Sequence, residues 1–108
     1  MSLERTLNLI KQKEGIRLEF KEAKSKIPSN LFESICAMLN REGGDIILGV
    51  DDYGNLLGID ESKMEAIKTN IVNLSNNPEK LDPTFILFPQ IHHIDGKHII
   101  HIPVSVSS

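Results

Sequence analysis

The chain has 108 residues, 40% apolar and 25% charged, which suits one core and leaves no room for a second domain. Its net charge of −3 argues against a strongly basic coat protein, and its single cysteine, Cys36, excludes a disulfide framework or a cysteine-ligated metal site within one chain, favouring a reducing, cytoplasmic setting. The N-terminus lacks a charged lead followed by an apolar run, and no stretch has the length needed to cross a bilayer, so neither secretion nor a membrane partner is expected.

In chain order, Ser2 is placed to cap a short helix whose Leu3, Leu7 and Ile10 recur at helical spacing, with its end before Gly15. A strand follows at 16–21. There Ile16, Leu18 and Phe20 alternate with Arg17, Glu19 and Lys21, which predicts one apolar side and one charged, solvent-facing side. Lys24 and Lys26 prolong the basic character. Pro28 and the spacing of Asn30 to Glu33 mark a helix start, Leu31, Ile35, Met38 and Leu39 form its apolar stripe, and Gly43 and Gly44 stop it.

Residues 45–50, Asp-Ile-Ile-Leu-Gly-Val, show no polar alternation and predict a central strand covered on both faces. Asp51 to Asn55 carry turn chemistry, and 56–59 are expected to return as an antiparallel partner strand. Ser62 with Glu65 predicts a capping box for a second long helix. Its inward face would be Met64, Ile67, Ile71 and Leu74, and Asn76-Asn77-Pro78 would end it. Segments 85–94 and 97–104 flank Asp95-Gly96 and predict a hairpin, with Pro89 and Pro103 at edges or strand ends. The expected fold is α+β: a mixed, largely antiparallel sheet of about five strands with two longer helices and one short N-terminal helix. Residues 1–108 are expected to form a single domain, and an end directly after a strand-like run leads us to expect a fragment of a longer regulatory protein.

Charge is unevenly divided. Residues 1–41 carry net +3 and residues 42–108 net −6, so an acidic chain can still hold a basic surface. Arg17, Lys21, Lys24 and Lys26 are the candidate phosphate contacts, since long basic side chains neutralise backbone phosphates without reading sequence. The competing reading is an edge strand protected by lysines against aggregation. With four Phe and one Tyr, an extensive base-stacking platform is not expected. The glycines run from helix into strand, the reverse of a phosphate-cradling loop, so their role is architectural.

Two ordered segments carry a family resemblance. They are Glu14-Gly-Ile-Arg-Leu-Glu19-Phe-Lys21, and the stretch 38–59 with Asn40, Gly43-Gly44, Gly49, Asp52, Gly54 and Gly58-Ile59 at fixed places. Together they resemble the Schlafen-type AlbA-like domain, found in bacterial proteins labelled DNA-binding transcriptional regulators and in the animal Schlafen proteins. The resemblance implies a nucleic-acid-binding domain, on DNA or RNA, that needs no cofactor to bind. In the members that cut RNA it also implies three carboxylates holding Mg²⁺ or Mn²⁺, which fall here on Glu14, Glu19 and Asp52 as metal ligands and catalytic groups. Hard cations take oxygen ligands and can activate water against a scissile phosphate. A separation of five puts Glu14 and Glu19 on opposite faces of a regular strand, so their convergence would require a bend near Gly15. Whether Asp51 or Asp52 fills the third place stays open.

Four histidines, His92, His93, His98 and His101, fall in the final hairpin. With Asp95-Gly96 as a two-residue loop, His93 faces His98 while His92 and His101 share the other face. Each face then offers two ligands, fewer than a zinc site takes. Three functions follow from these readings. The first is a nucleic-acid-binding domain of a transcriptional-regulator-like protein. The alternatives are a metal-dependent endoribonuclease, and a protein-interaction or dimerisation module whose exposed sheet edges pair into a homo-oligomer.

Overall fold

A computed structural model describes residues 3–12, 18–39, 41, 43–75 and 87–104. Among these residues three helices, α1 (Leu3–Gln12), α2 (Leu31–Leu39) and α3 (Met64–Ser75), pack on four strands, β1 (Leu18–Lys21), β2 (Gly44–Leu48), β3 (Gln90–Ile94) and β4 (Lys97–Val104). The sheet order is β1-β2-β4-β3. β1 runs parallel to β2 and the other pairs are antiparallel, so the fold is the expected mixed α+β arrangement.

β2 is central because it can be apolar on both sides. Ile46, Ile47, Leu48 and Val50 have no solvent exposure. Strand alternation sends Ile46 and Leu48, with Ile100, Ile102 and Val104 of β4, toward α2 and α3, where they meet Leu31, Ile35, Met38, Met64, Ile67 and Ile71. Ile47, with Leu18, Phe20, Ile94 and Ile99, faces the other way, onto Leu7, Leu9 and Ile10 of α1. Both sheet faces are therefore covered, as a parallel β1-α2-β2 crossover and a docked N-terminal helix require.

Three local expectations change. Segment 56–59 makes only two single bridges, Val50 to Leu56 and Ile59 to His98, because Leu57 and Gly58 both donate to the carbonyl of Gly49 and turn the chain away from a ladder. Ser62 lies inside a 3₁₀ turn, Glu61–Lys63, whose N-cap is Asp60, so it does not cap α3. The charged side of β1 does not face open solvent: Glu19 and Lys21 share the sheet face of Ile46 and Leu48, toward α2. The Ser2 cap, the helix end at 76–78 and the first residues of the 85–94 segment lie outside the described residues.

The hairpin forms as expected. Asp95 (φ 49°) and Gly96 (φ 78°) both take positive φ, the signature of a primed two-residue turn, and Ile94 pairs with Lys97 and His93 with His98. Gly49 is a position that requires glycine. At φ +96°, a Cβ there would sit 3.3 Å from the carbonyl of His98 and from side-chain carbons of Ile59 and Ile99. Gly49→Ala should therefore cost about 1–3 kcal/mol, read as a lower urea midpoint with an unchanged slope; an unshifted midpoint would show that the β2 end relaxes freely.

Candidate nucleic-acid interface

The strongest polar cluster lies between α1 and the sheet. Asp45, on the inner edge of β2, receives Nη1 of Arg5 at 3.1 Å and Nη2 at 3.4 Å, and Nε2 of His101 at 2.7 Å. On the far side of the imidazole, Nδ1 of His101 lies 2.8 Å from the Thr6 hydroxyl, which also lies 3.1 Å from Nε2 of His92. An ionised carboxylate only accepts, so His101 carries a proton on Nε2 toward Asp45. The hydroxyl offers one proton and two lone pairs, so it can serve both imidazoles, accepting from one ring and donating to the other.

Burial works to raise the Asp45 pKa, but the hydrogen bonds from His101 and Arg5 outweigh it and hold the carboxyl below its ordinary value. Burial, followed by the neighbouring His101, depresses the imidazolium of His92. Thr6 and His101 have no exposure, so this chain of groups acts as a structural pin between α1 and three strands. Neither Thr6 nor Asp45 was singled out from sequence. The pairing of His92 with His101 across one ribbon face was the only signal, and it pointed at the hairpin alone.

Among the residues expected to carry function, Glu14 and Arg17 lie outside the described residues. Glu19 and Lys21 are brought together: Lys21 Nζ sits 3.0 Å from Glu19 Oε2 and donates to Oδ1 of Asn30 at 2.9 Å. Although Oε2 is within ion-pairing distance, it is buried and receives no aligned hydrogen bond, so its pairing to Lys21 is chiefly electrostatic. Desolvation raises the Glu19 pKa, yet a hydrogen bond from Ser34 and the adjacent Lys21 ammonium bring it below its ordinary value.

Asp51 is consumed locally. Its Oδ1 accepts from the amides of Tyr53 and Asn55, each at 2.9 Å, and its Oδ2 from Asn55 Nδ2, which together lower its pKa. Asp52 is exposed beside it, the freer of the two acids. Among the described residues no three His, Cys, Asp or Glu side chains converge to hold a metal ion.

Among the described basic candidates, Lys24 and Lys26 are the exposed ones, on a bend after β1. Lys24 also borders an open groove of about 530 Å³ that Lys97 lines from the hairpin. His93 and His98 stack at its wall, ring centroids 4.5 Å apart and planes 17° from parallel. The charge split along the chain did not anticipate that Lys97, from the acidic part, would join Lys24. No described helix is long and apolar enough to cross a membrane.

These features define a small α+β domain with a two-sided sheet and a basic loop beside a polar groove. The chain belongs to the Schlafen AlbA_2 family, whose profile matches residues 14–108, all of it beyond α1. Among curated proteins none matches significantly. Among solved structures it is similar to the N-terminal domain of an ATP-dependent DNA helicase RecG-related protein from Nitrosomonas europaea, with a TM-score of 0.71 and 21% identity over 94% of this chain and 72% of that one. It is also similar to the DIP2311 protein from Corynebacterium diphtheriae, with a TM-score of 0.58 and 15% identity over 98% of this chain but only 26% of that one. At these identities the likeness shows a shared fold.

The pin makes stability dependent on pH. Because both His92 and Asp45 have depressed values in the folded chain, the unfolded chain takes up their protons first, so each contribution is present above the unfolded value and lost on acidification. Stability should begin to fall as pH drops below about 6.5 and fall further below about 4. His92→Gln, which keeps a donor toward Thr6 without titrating, should flatten the first step in urea titrations run at each pH. Thr6→Val should cost about 1–3 kcal/mol at neutral pH by leaving buried ring nitrogens unpaired. A Thr6→Val variant as stable as wild type would remove the pin from the account of α1 docking.

Proposed function

We propose that this domain binds nucleic acid through its sugar-phosphate backbone and positions a larger regulatory protein on DNA or RNA. The observation that carries the reading is the exposed Lys24-Ser25-Lys26 bend beside the Lys97-lined groove. Family membership and the fold shared with the N-terminal domain of a RecG-related protein support it. Free lysines on a loop release counterions from phosphates, which yields affinity with little sequence preference. Lys21 contributes less to this surface than its place in the sequence implies, since Glu19 and Asn30 already engage its ammonium.

The double substitution Lys24→Ala and Lys26→Ala should weaken duplex binding and flatten the log-log salt slope by about 2, one unit for each phosphate that is no longer neutralised. Lys11→Ala, on α1 across the sheet, should bind as wild type. Equal slopes for the double variant and wild type would reject the bend as the binding surface.

A second reading, a divalent-metal-dependent endoribonuclease, is favoured by one observation: an ionised Glu19 whose Oε2 is buried without an aligned donor, next to Lys21. Glu14, Glu19 and Asp52 would hold the cation, which would supply an activated water and charge neutralisation at phosphate. Lys21 keeps Glu19 ionised and oriented. On this reading Glu19→Gln abolishes Mn²⁺-dependent RNA cleavage while leaving the thermal midpoint within a few degrees, and cleavage that survives the substitution would exclude the role.

A further inference from the structure

The groove beside Lys24 has a chemistry that phosphate contact alone leaves unexplained. It carries two cations, Lys24 and Lys97, two carboxylates, Asp60 and Glu61, and the stacked imidazoles of His93 and His98. A simple anion would be opposed by the carboxylates and a simple cation by the lysines. The set is matched by a ligand that combines an anionic group, hydroxyl or amino donors and a flat aromatic ring. Those are the parts of one nucleotide.

The walls are tied by backbone bonds, so the arrangement is held before any ligand arrives. Ile59 N donates to His98 O at 2.8 Å and Asp60 N to Lys24 O at 2.7 Å, which fastens the loop carrying Asp60 to both the hairpin and the basic bend. His93 and His98 are a directly opposed pair in the β3-β4 ladder, which fixes their stacking. His93 is exposed, so its ring remains reachable from the groove. Gly58 lets the two walls approach, since a Cβ there would fall 3.2 Å from the Cβ of Lys97. A volume of about 530 Å³ lies within the ordinary range of small-ligand sites.

We propose that this groove is a subsite for a single nucleotide of a single-stranded nucleic acid, with the base against the His93-His98 pair, the phosphate between Lys24 and Lys97, and sugar or base donors toward Asp60 and Glu61. It deepens the nucleic-acid-binding reading and rests on it for its biological setting. Bases in a duplex are hidden in the stack, whereas a single strand can splay one onto a histidine ring, so the subsite selects single strands over duplexes. Stacking on an aromatic side chain is worth about 1–3 kcal/mol per base, or roughly 5- to 150-fold in affinity.

The test uses the 108-residue chain, adenosine 5′-monophosphate, ribose 5-phosphate, a short single-stranded oligonucleotide and a duplex of equal length. The mononucleotide should saturably shift the ring resonances of His93 and His98 and the amides of Gly58 and Lys97, and ribose 5-phosphate should bind at least about five-fold more weakly. The double variant His93→Ala and His98→Ala should lose roughly 5- to 150-fold in single-strand affinity with duplex affinity unchanged, and the two phenylalanine replacements should retain most of it. Equal binding of the two small probes, no shifts at these four residues, or single-strand affinity unaffected by the alanine pair would each overturn the subsite. If the alanine pair is silent while Lys24→Ala and Lys26→Ala still flatten the salt slope, the subsite fails and the wider reading stands. If the mononucleotide shifts appear and weaken with Lys24→Ala, while the lysine pair leaves the duplex salt slope unchanged, the subsite stands and the wider phosphate surface fails.

Discussion

A carboxylate placed inside the most buried strand has to be compensated, and the demands of Asp45 organise one half of the molecule. Its neighbours Ile46, Ile47 and Leu48 are wholly buried, so water cannot serve it fully. Arg5 and His101 come from opposite ends of the chain to do so. For Arg5 to arrive, α1 must lie across this face of the sheet, which also brings Leu7, Leu9 and Ile10 onto Phe20 and Ile47. For His101 to arrive, β4 must pair with β2 in the one register parity that turns His101 toward Asp45. A one-residue slip would turn it to the opposite face and bring apolar side chains out of the core. Thr6 completes the arrangement by giving the second nitrogen of His101 a partner and joining His92 to the same chain of groups. Helix docking, strand register and polar satisfaction are thus one constraint. Its helical half precedes the stretch shared with the Schlafen AlbA_2 family, so a sheet of the family's kind is closed here by residues outside the matched span.

The opposite face obeys a different rule. There α2 and α3 supply an apolar cover, and the charged side of β1 is tucked under the start of α2, where Glu19 and Lys21 neutralise one another and draw on Ser34 and Asn30. The charge available to a polyanion is accordingly smaller than a count along residues 1–41 implies. Arg5 and Lys21 are engaged within the fold, while Lys97 is carried by the hairpin to the side of Lys24. A basic surface assembled in this way is modest.

Rigid turns place the polar groups of that surface. Gly49 closes the end of β2 against β4, its carbonyl holds Leu57 and Gly58, and the chain then crosses to His98 and Lys24 through the amides of Ile59 and Asp60. The same few bonds that prevent a fifth strand from forming at 56–59 open the groove between the hairpin and the basic bend. Fold and candidate site are thus coupled through a loop whose geometry follows from glycine at two positions of positive φ.

Local pattern in the sequence determined the elements. The stretch 45–50, free of polar alternation, specified a doubly covered central strand, the 3.6-residue stripes of Leu31, Ile35 and Met38 and of Met64, Ile67 and Ile71 specified two core-facing helices, and Asp95-Gly96 specified the hairpin and its register. These features depend on backbone geometry and on residues within a turn or two of one another, so they are readable in one dimension. Tertiary structure alone decided that Thr6 would be the buried residue of α1, that Asp45 would need Arg5 and His101, that Lys21 would be held by Glu19, and that Lys97 would stand beside Lys24. Each of the long-range pairings joins groups 40 to 95 positions apart or elements that meet only when the sheet order β1-β2-β4-β3 is complete. The reason is physical: periodicity tells a side chain which way to face, but the partner it meets there is chosen by packing, burial and the need to satisfy every enclosed polar group.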